Sequence, residues 1–99
     1  MTPLEREVLD LTKRWVRKGG KVNRVQQQKR MLAFARFAAA LRARTLAEVG
    51  KRHTIEYYES IKNLSESTRY NHYRALVTLW RLSDSPWQPP PPPNSTSPR

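Results

Sequence analysis

The chain reads as an all-α protein, a small four-helix bundle followed by a proline-rich tail. Three observations predict this. Apolar residues recur at three- and four-residue intervals over most of residues 1–84, the period of helices with one buried face. Capping residues stand ahead of the first, second and fourth runs, at Thr2, Asn23 and Ser65, and Thr45 caps the turn before the third. No stretch alternates with the period of a strand, and there is neither an internal repeat nor a glycine-rich phosphate loop. With 99 residues the chain supports one domain, residues 1–84, with a disordered tail over 85–99.

The first helix starts at Thr2, Pro3 and Glu5, a capping hydroxyl, a proline at the first helical position and a capping-box carboxylate. Leu4, Val8, Leu11 and Trp15 form its apolar stripe, and Gly19 and Gly20 end it. Lys13, Arg14, Arg17 and Lys18 crowd its last turns, where the helix dipole itself favours cations. Asn23 with Gln26 opens the second and longest helix, which ends near Arg44. Phe34, Ala38 and Leu41 make its buried stripe, with Met31 and Phe37 at the margins. Lys29, Ala33, Arg36, Ala40 and Ala43 lie opposite. Small residues between cations let a helix lie close to a phosphate backbone, although alanine's helix propensity explains them equally well.

Thr45 and Glu48 form a capping box over a short turn closed by Gly50. The third helix runs from about Lys51 to Lys62, with Thr54, Tyr57, Tyr58 and Ile61 inward, and Asn63 stops it. Ser65 caps the fourth, and Glu66 supplies the negative charge its first turn favours. Tyr73, Leu76, Leu79 and Trp80 share the inner face of this helix; Ser67, Asn71, Arg74, Thr78 and Arg81 share the outer one. Beyond Asp84, Pro89–Pro93 predict a stiff polyproline II spacer, otherwise unpacked, with Trp87 able to fold back on the bundle. Asn94, Ser95 and Thr96 match a glycosylation acceptor by chance, since no secretory signal precedes them.

Nineteen Lys and Arg against eight Asp and Glu give a net charge of +11, and Leu11 to Ala47 holds eleven cations and no acid. Such a field favours a polyanion, and nucleic acid above other partners. There is no cysteine, which excludes disulfides and thiolate chemistry, and His53 and His72 are too few for a metal site. No cofactor and no small-molecule substrate is expected. No apolar run is long enough to span a membrane, and the mixed N-terminus is unlike a signal peptide. The expected location is the cytoplasm.

Residues 25–84 resemble the core-binding domain of tyrosine recombinases, the phage-integrase family. The parts that carry the resemblance come in order: the aromatic pair Phe34 and Phe37, then the Leu46 to Val49 turn, then Tyr57 on a short helix. Leu64 to Thr68 (Leu-Ser-x-Ser-Thr) follows, with Ala75, Leu76, Leu79 and Trp80 completing the pattern. Gly50, where the family often has Thr or Ser, and Arg69, at a usually apolar position, depart from it. The first helix lies largely outside it.

The resemblance implies a helical domain that clamps one side of duplex DNA without catalysing, since the family's catalytic residues belong to a separate C-terminal domain. The chain is expected to end at Arg99 before any such domain, and none of Tyr57, Tyr58, Tyr70 and Tyr73 is expected to be a nucleophile. The function expected is a stand-alone accessory or regulatory DNA-binding protein of a bacterial mobile element, associated with the nucleoid. The candidate contacts are Lys29, Arg30, Arg36, Arg42, Arg44, Lys51, Arg52, Ser67, Thr68, Arg69, Asn71 and Arg74. Asn71 and Arg74 are the base readers, because amide and guanidinium groups can bond two base-edge atoms at once. A truncated recombinase remnant and a basic adaptor for an acidic protein are the alternatives, and homo-oligomer or protein partner stays open.

Overall fold

The computed structural model describes residues 1–84 and 88–91, apart from the Lys21 side chain. It is an all-α fold: α1 (Pro3–Arg17), α2 (Lys21–Ala40), a 3₁₀ turn (Leu46–Glu48), α3 (Lys51–Ser60) and α4 (Glu66–Leu82), with no strand among the described residues.

The cap of α1 forms as its sequence dictates. Thr2 Oγ1 accepts from the Glu5 N–H at 3.2 Å, and Glu5 Oε1 accepts from the Thr2 N–H at 3.0 Å. The inner face departs from the predicted stripe in its second half. Leu4 and Val8 are buried, but Thr12 is buried there too, while Leu11 and Trp15 are only partly covered. Thr12 can go inside because its hydroxyl donates to the Val8 carbonyl at 2.8 Å, so no donor is left unpaired.

The second helix starts and stops earlier than predicted. Gly20, with φ 35°, is its N-cap, and the Asn23–Gln26 pair lies inside the helix. It ends at Ala40 in a Schellman motif: the Arg42 N–H reaches the Ala39 carbonyl and the Ala43 N–H the Ala38 carbonyl. Arg42 fills the left-handed position of this motif, at φ 76°, where glycine is the usual residue. The early stop redirects two side chains. Leu41, placed in the buried stripe by its period, is 37% exposed, and Ala43, placed outside, is buried.

α1 and α2 form an antiparallel hairpin. Arg24 Nη1 donates to the Trp15 carbonyl at 2.6 Å, Gln28 Nε2 to Thr12 Oγ1 at 2.9 Å, and Arg36 Nε to Glu5 Oε2 at 3.2 Å. The Arg24 guanidinium also lies 4.9 Å from the Trp15 ring centroid, a cation–π contact. Glu7 Oε1 accepts from the Leu46 N–H at 3.0 Å, fixing the 3₁₀ turn on α1. The capping box expected at Thr45 is absent; the Glu48 carboxylate reaches one residue further, to the Arg44 N–H at 2.7 Å.

Phe34 joins the other helices. Its ring meets Tyr57 of α3 at 5.2 Å and Trp80 of α4 at 5.8 Å, both edge-on. Such pairs contribute roughly 0.5–1.5 kcal/mol each beyond the area they bury. Met31, Phe34, Ala35 and Ala38 are fully buried from α2, so Met31 belongs to the centre of the stripe and not its margin. Thr54, Tyr57 and Tyr58 face inward from α3, as predicted, and α3 stops at Ser60, two residues short of Lys62. Ser65 Oγ accepts from the Thr68 N–H at 3.2 Å, and Ala75, Leu76, Leu79 and Trp80 are the buried residues of α4.

The tail is not wholly unpacked. Pro89 is buried, and the Pro90 carbonyl accepts from the Tyr58 hydroxyl at 2.7 Å. A buried phenol needs an acceptor, and the Pro90 carbonyl supplies it. Trp87 and residues 94–96 lie outside the described residues.

Candidate nucleic-acid interface

The candidate residues stand at three places: α2, with Lys29 and Arg36 exposed and Arg30 half-buried, the corner from Arg42 to Arg52, and the first half of α4. Their environments differ. Lys29, Arg42, Arg44, Lys51 and Arg74 are exposed, and their charged groups have no ion pair or hydrogen bond among the described residues. Arg36 and Arg52 are committed. Arg36 holds Glu5 of α1, and Arg52 Nε pairs with Glu56 Oε2 at 2.8 Å within α3.

The Glu5 carboxyl is held below its ordinary range, first by hydrogen bonds from Thr2 and then by Arg36. The Arg52 guanidinium is raised by its bond to Glu56. Ion pairs this exposed on one side contribute little to stability, but each removes a cation from the set free to meet a polyanion.

The corner residues border two concavities. A cleft of about 300 Å³ is lined by Thr2, Pro3, Ala39, Arg42, Ala43 and Arg44. A second, of about 280 Å³, is lined by Leu41, Arg52 and His53. The left-handed backbone of Arg42 follows the last residue of the α2 cap, so its side chain leaves at the bend between the helix and the 3₁₀ turn. The corner is further held by His53, whose Nδ1 accepts from the Gly50 N–H at 3.1 Å and caps α3 without a hydroxyl.

On α4, Ser67 and Arg74 are exposed, while Asn71 is half-buried on the same face. Thr68 Oγ1 accepts from the Ser65 hydroxyl at 2.8 Å, so Thr68 serves the cap. Arg69 turns back over the α3–α4 connection: Nη1 lies 3.4 Å from the Lys62 carbonyl, and Nε is buried without a partner. A cation over the end of a helix is favoured there. Arg69 is therefore folded against the protein in this structure.

Arg30 belongs to a cluster that sequence reasoning did not anticipate. Its Nη1 donates to Gln27 Oε1 at 2.8 Å, and its charge acts on both Tyr57 and His72. The three come from α2, α3 and α4, positions no local spacing connects. Burial, with a smaller contribution from Arg30, lowers the His72 pKa. Burial pushes the Tyr57 phenol up to about 12, with Arg30 acting the other way. Arg14, Arg17 and Lys18, in the cluster that the α1 dipole explains in part, are also exposed with uncommitted charges among the described residues. Their place within the acid-free run is the signal that marks them as further candidates.

In comparisons with known protein families, curated proteins and solved structures, the chain matches none.

Among the described residues no group of His, Cys, Asp and Glu is arranged to hold a metal ion, and no helix is long and apolar enough to cross a membrane. What the arrangement can do chemically is present guanidinium and ammonium groups to anionic oxygens, from α2, α3 and α4 and from the bend at Arg42 and Arg44.

Proposed function

We propose that this chain is a non-catalytic protein that binds double-stranded DNA, an accessory or regulatory factor of a bacterial mobile element of the tyrosine-recombinase kind. The observation that carries the reading is the set of exposed, uncommitted cations Lys29, Arg42, Arg44, Lys51 and Arg74 on a chain of net charge +11. Phosphate contacts from these residues supply most of the affinity, and Arg74 with Asn71 reads base edges. Arg36 and Arg52 share their charge with Glu5 and Glu56 through Nε, and Arg69 is folded back on the Lys62 carbonyl, so these three are weaker contributors.

The tyrosines support a non-catalytic reading. Tyr57 and Tyr58 are buried, and both phenols are held protonated far above neutral pH by burial. A buried neutral phenol makes a poor nucleophile toward a phosphorus atom. Tyr70 is the exposed one, 47% accessible, with its ring 5.7 Å from that of Tyr73.

A salt titration tests the reading. Observed affinity for duplex DNA falls by about 0.9 log unit per phosphate contact for each log unit of salt. A flat response, or no duplex binding at low salt, overturns the proposal. Equal binding of single-stranded RNA reduces it to capture of any polyanion.

A further inference from the structure

The contact between the proline run and α3 has a form that suits more than one polypeptide. Tyr58 is only 3% exposed, and among the described residues its hydroxyl bonds to the Pro90 carbonyl alone, at 2.7 Å. Pro89 is buried and Pro90 half-buried, while Gln88 and Pro91 on either side are exposed. Of residues 88–91, Pro89 and Pro90 therefore face the helices, and Gln88 and Pro91 face water.

The chemistry of this contact is that of polyproline recognition. Proline has a fixed φ and no N–H, so a proline run loses little backbone freedom on docking. Its carbonyls are the only polar groups it offers, and a tyrosine hydroxyl set among aromatic rings suits them. Tyr58 offers its hydroxyl from an almost wholly buried position on α3. None of these contacts depends on the run being covalently joined to the bundle.

We infer that the surface around Tyr58 is a docking site for proline-rich segments, occupied in cis by this chain's own Pro89–Pro90. The resident segment competes at the high effective concentration that its short connection to α4 imposes. A proline run from another chain enters only when the resident one is removed.

The test uses the full chain with Pro89→Ser, Pro90→Ser and Pro91→Ser together, and a synthetic peptide of residues 88–93 as the probe. Calorimetry is expected to show saturable binding of this peptide to the serine variant, and binding at least about tenfold weaker to the unaltered chain. Adding Tyr58→Phe to the serine variant should weaken the peptide by about fivefold, the worth of one hydrogen bond. No binding to the folded serine variant, or binding that Tyr58→Phe leaves unchanged, overturns the inference.

Should the serine variant fail to fold, the unaltered chain still decides. The Pro90 carbonyl carbon shift should differ between the chain and the free peptide, and Tyr58→Phe should remove that difference. Identical shifts in the chain and the free peptide overturn the inference.

Discussion

The Tyr57 hydroxyl and His72 Nδ1 lie 2.9 Å apart, a side-chain hydrogen bond that ties α3 to α4. With the His72 proton on Nε2, Nδ1 is free to accept the phenol hydrogen. Both groups resist ionisation, and they resist in opposite directions of pH. The His72 pKa lies below its ordinary 6.5, so the unfolded chain takes up a proton first as pH falls. The stability linked to His72 is thus whole above 6.5 and lost below it. The phenols of Tyr57 and Tyr58 lie above their ordinary 10.0, so their contribution is whole below 10.0 and lost as pH rises through the folded values. A plateau is expected between these limits in urea midpoints measured against pH. His72→Gln should flatten the first part of the acid limb, above the range where carboxylates titrate, and Tyr57→Phe should reduce the alkaline one.

Phe34 and Arg74 separate core from surface. Phe34 is fully buried between Tyr57 and Trp80, so Phe34→Ala should cost roughly 3–5 kcal/mol. Arg74 is exposed, and Arg74→Ala should change stability by no more than about 0.5 kcal/mol. If Arg74 reads a base, the same change weakens specific duplex binding by about 1–3 kcal/mol. Denaturation and binding curves on the two variants check both halves.

Arg42 sets stability against binding. A left-handed backbone costs a residue with a side chain about 1–2 kcal/mol, and glycine escapes most of this. Arg42→Gly should therefore raise the melting temperature, since the Schellman bonds from residues 42 and 43 are backbone bonds and remain. If Arg42 meets a phosphate, the salt slope of DNA binding should become shallower by about one contact. A fall in melting temperature would show that the arginine side chain stabilises the bend.

Arg36 and Lys29 stand on the same helix but serve different ends. Arg36→Ala removes the Glu5 partner on α2 but leaves the Thr2 hydrogen bonds to that carboxylate, so stability should fall by no more than about 1 kcal/mol. Lys29→Ala breaks no contact in the fold and should leave the melting temperature unchanged while weakening duplex binding. Thermal melts beside salt titrations distinguish the two.

The all-α class, the number of helices, the caps at Thr2 and Ser65, and the inward faces of α3 and α4 were legible in the sequence. Each depends on residues within a few positions of one another, and helical periodicity and capping are interactions of that range. The excess of cations was legible for a similar reason, since charge is additive along a chain. Which cations remain uncommitted was decided by tertiary structure. Arg36 is tied up because the α1–α2 hairpin brings Glu5 to it, and the chain between them carries no sign of that register. The same holds for Thr12, buried because Gln28 and the Val8 carbonyl satisfy its hydroxyl, and for Arg30, Tyr57 and His72, gathered from three helices. The end of α2 lay between the two cases. No glycine or proline marks it, and the chain bends at Arg42, where the Schellman bonds and the burial of Ala43 offset the strain. Local pattern determines what a segment can become; contacts between distant segments determine which of its side chains stay free to bind.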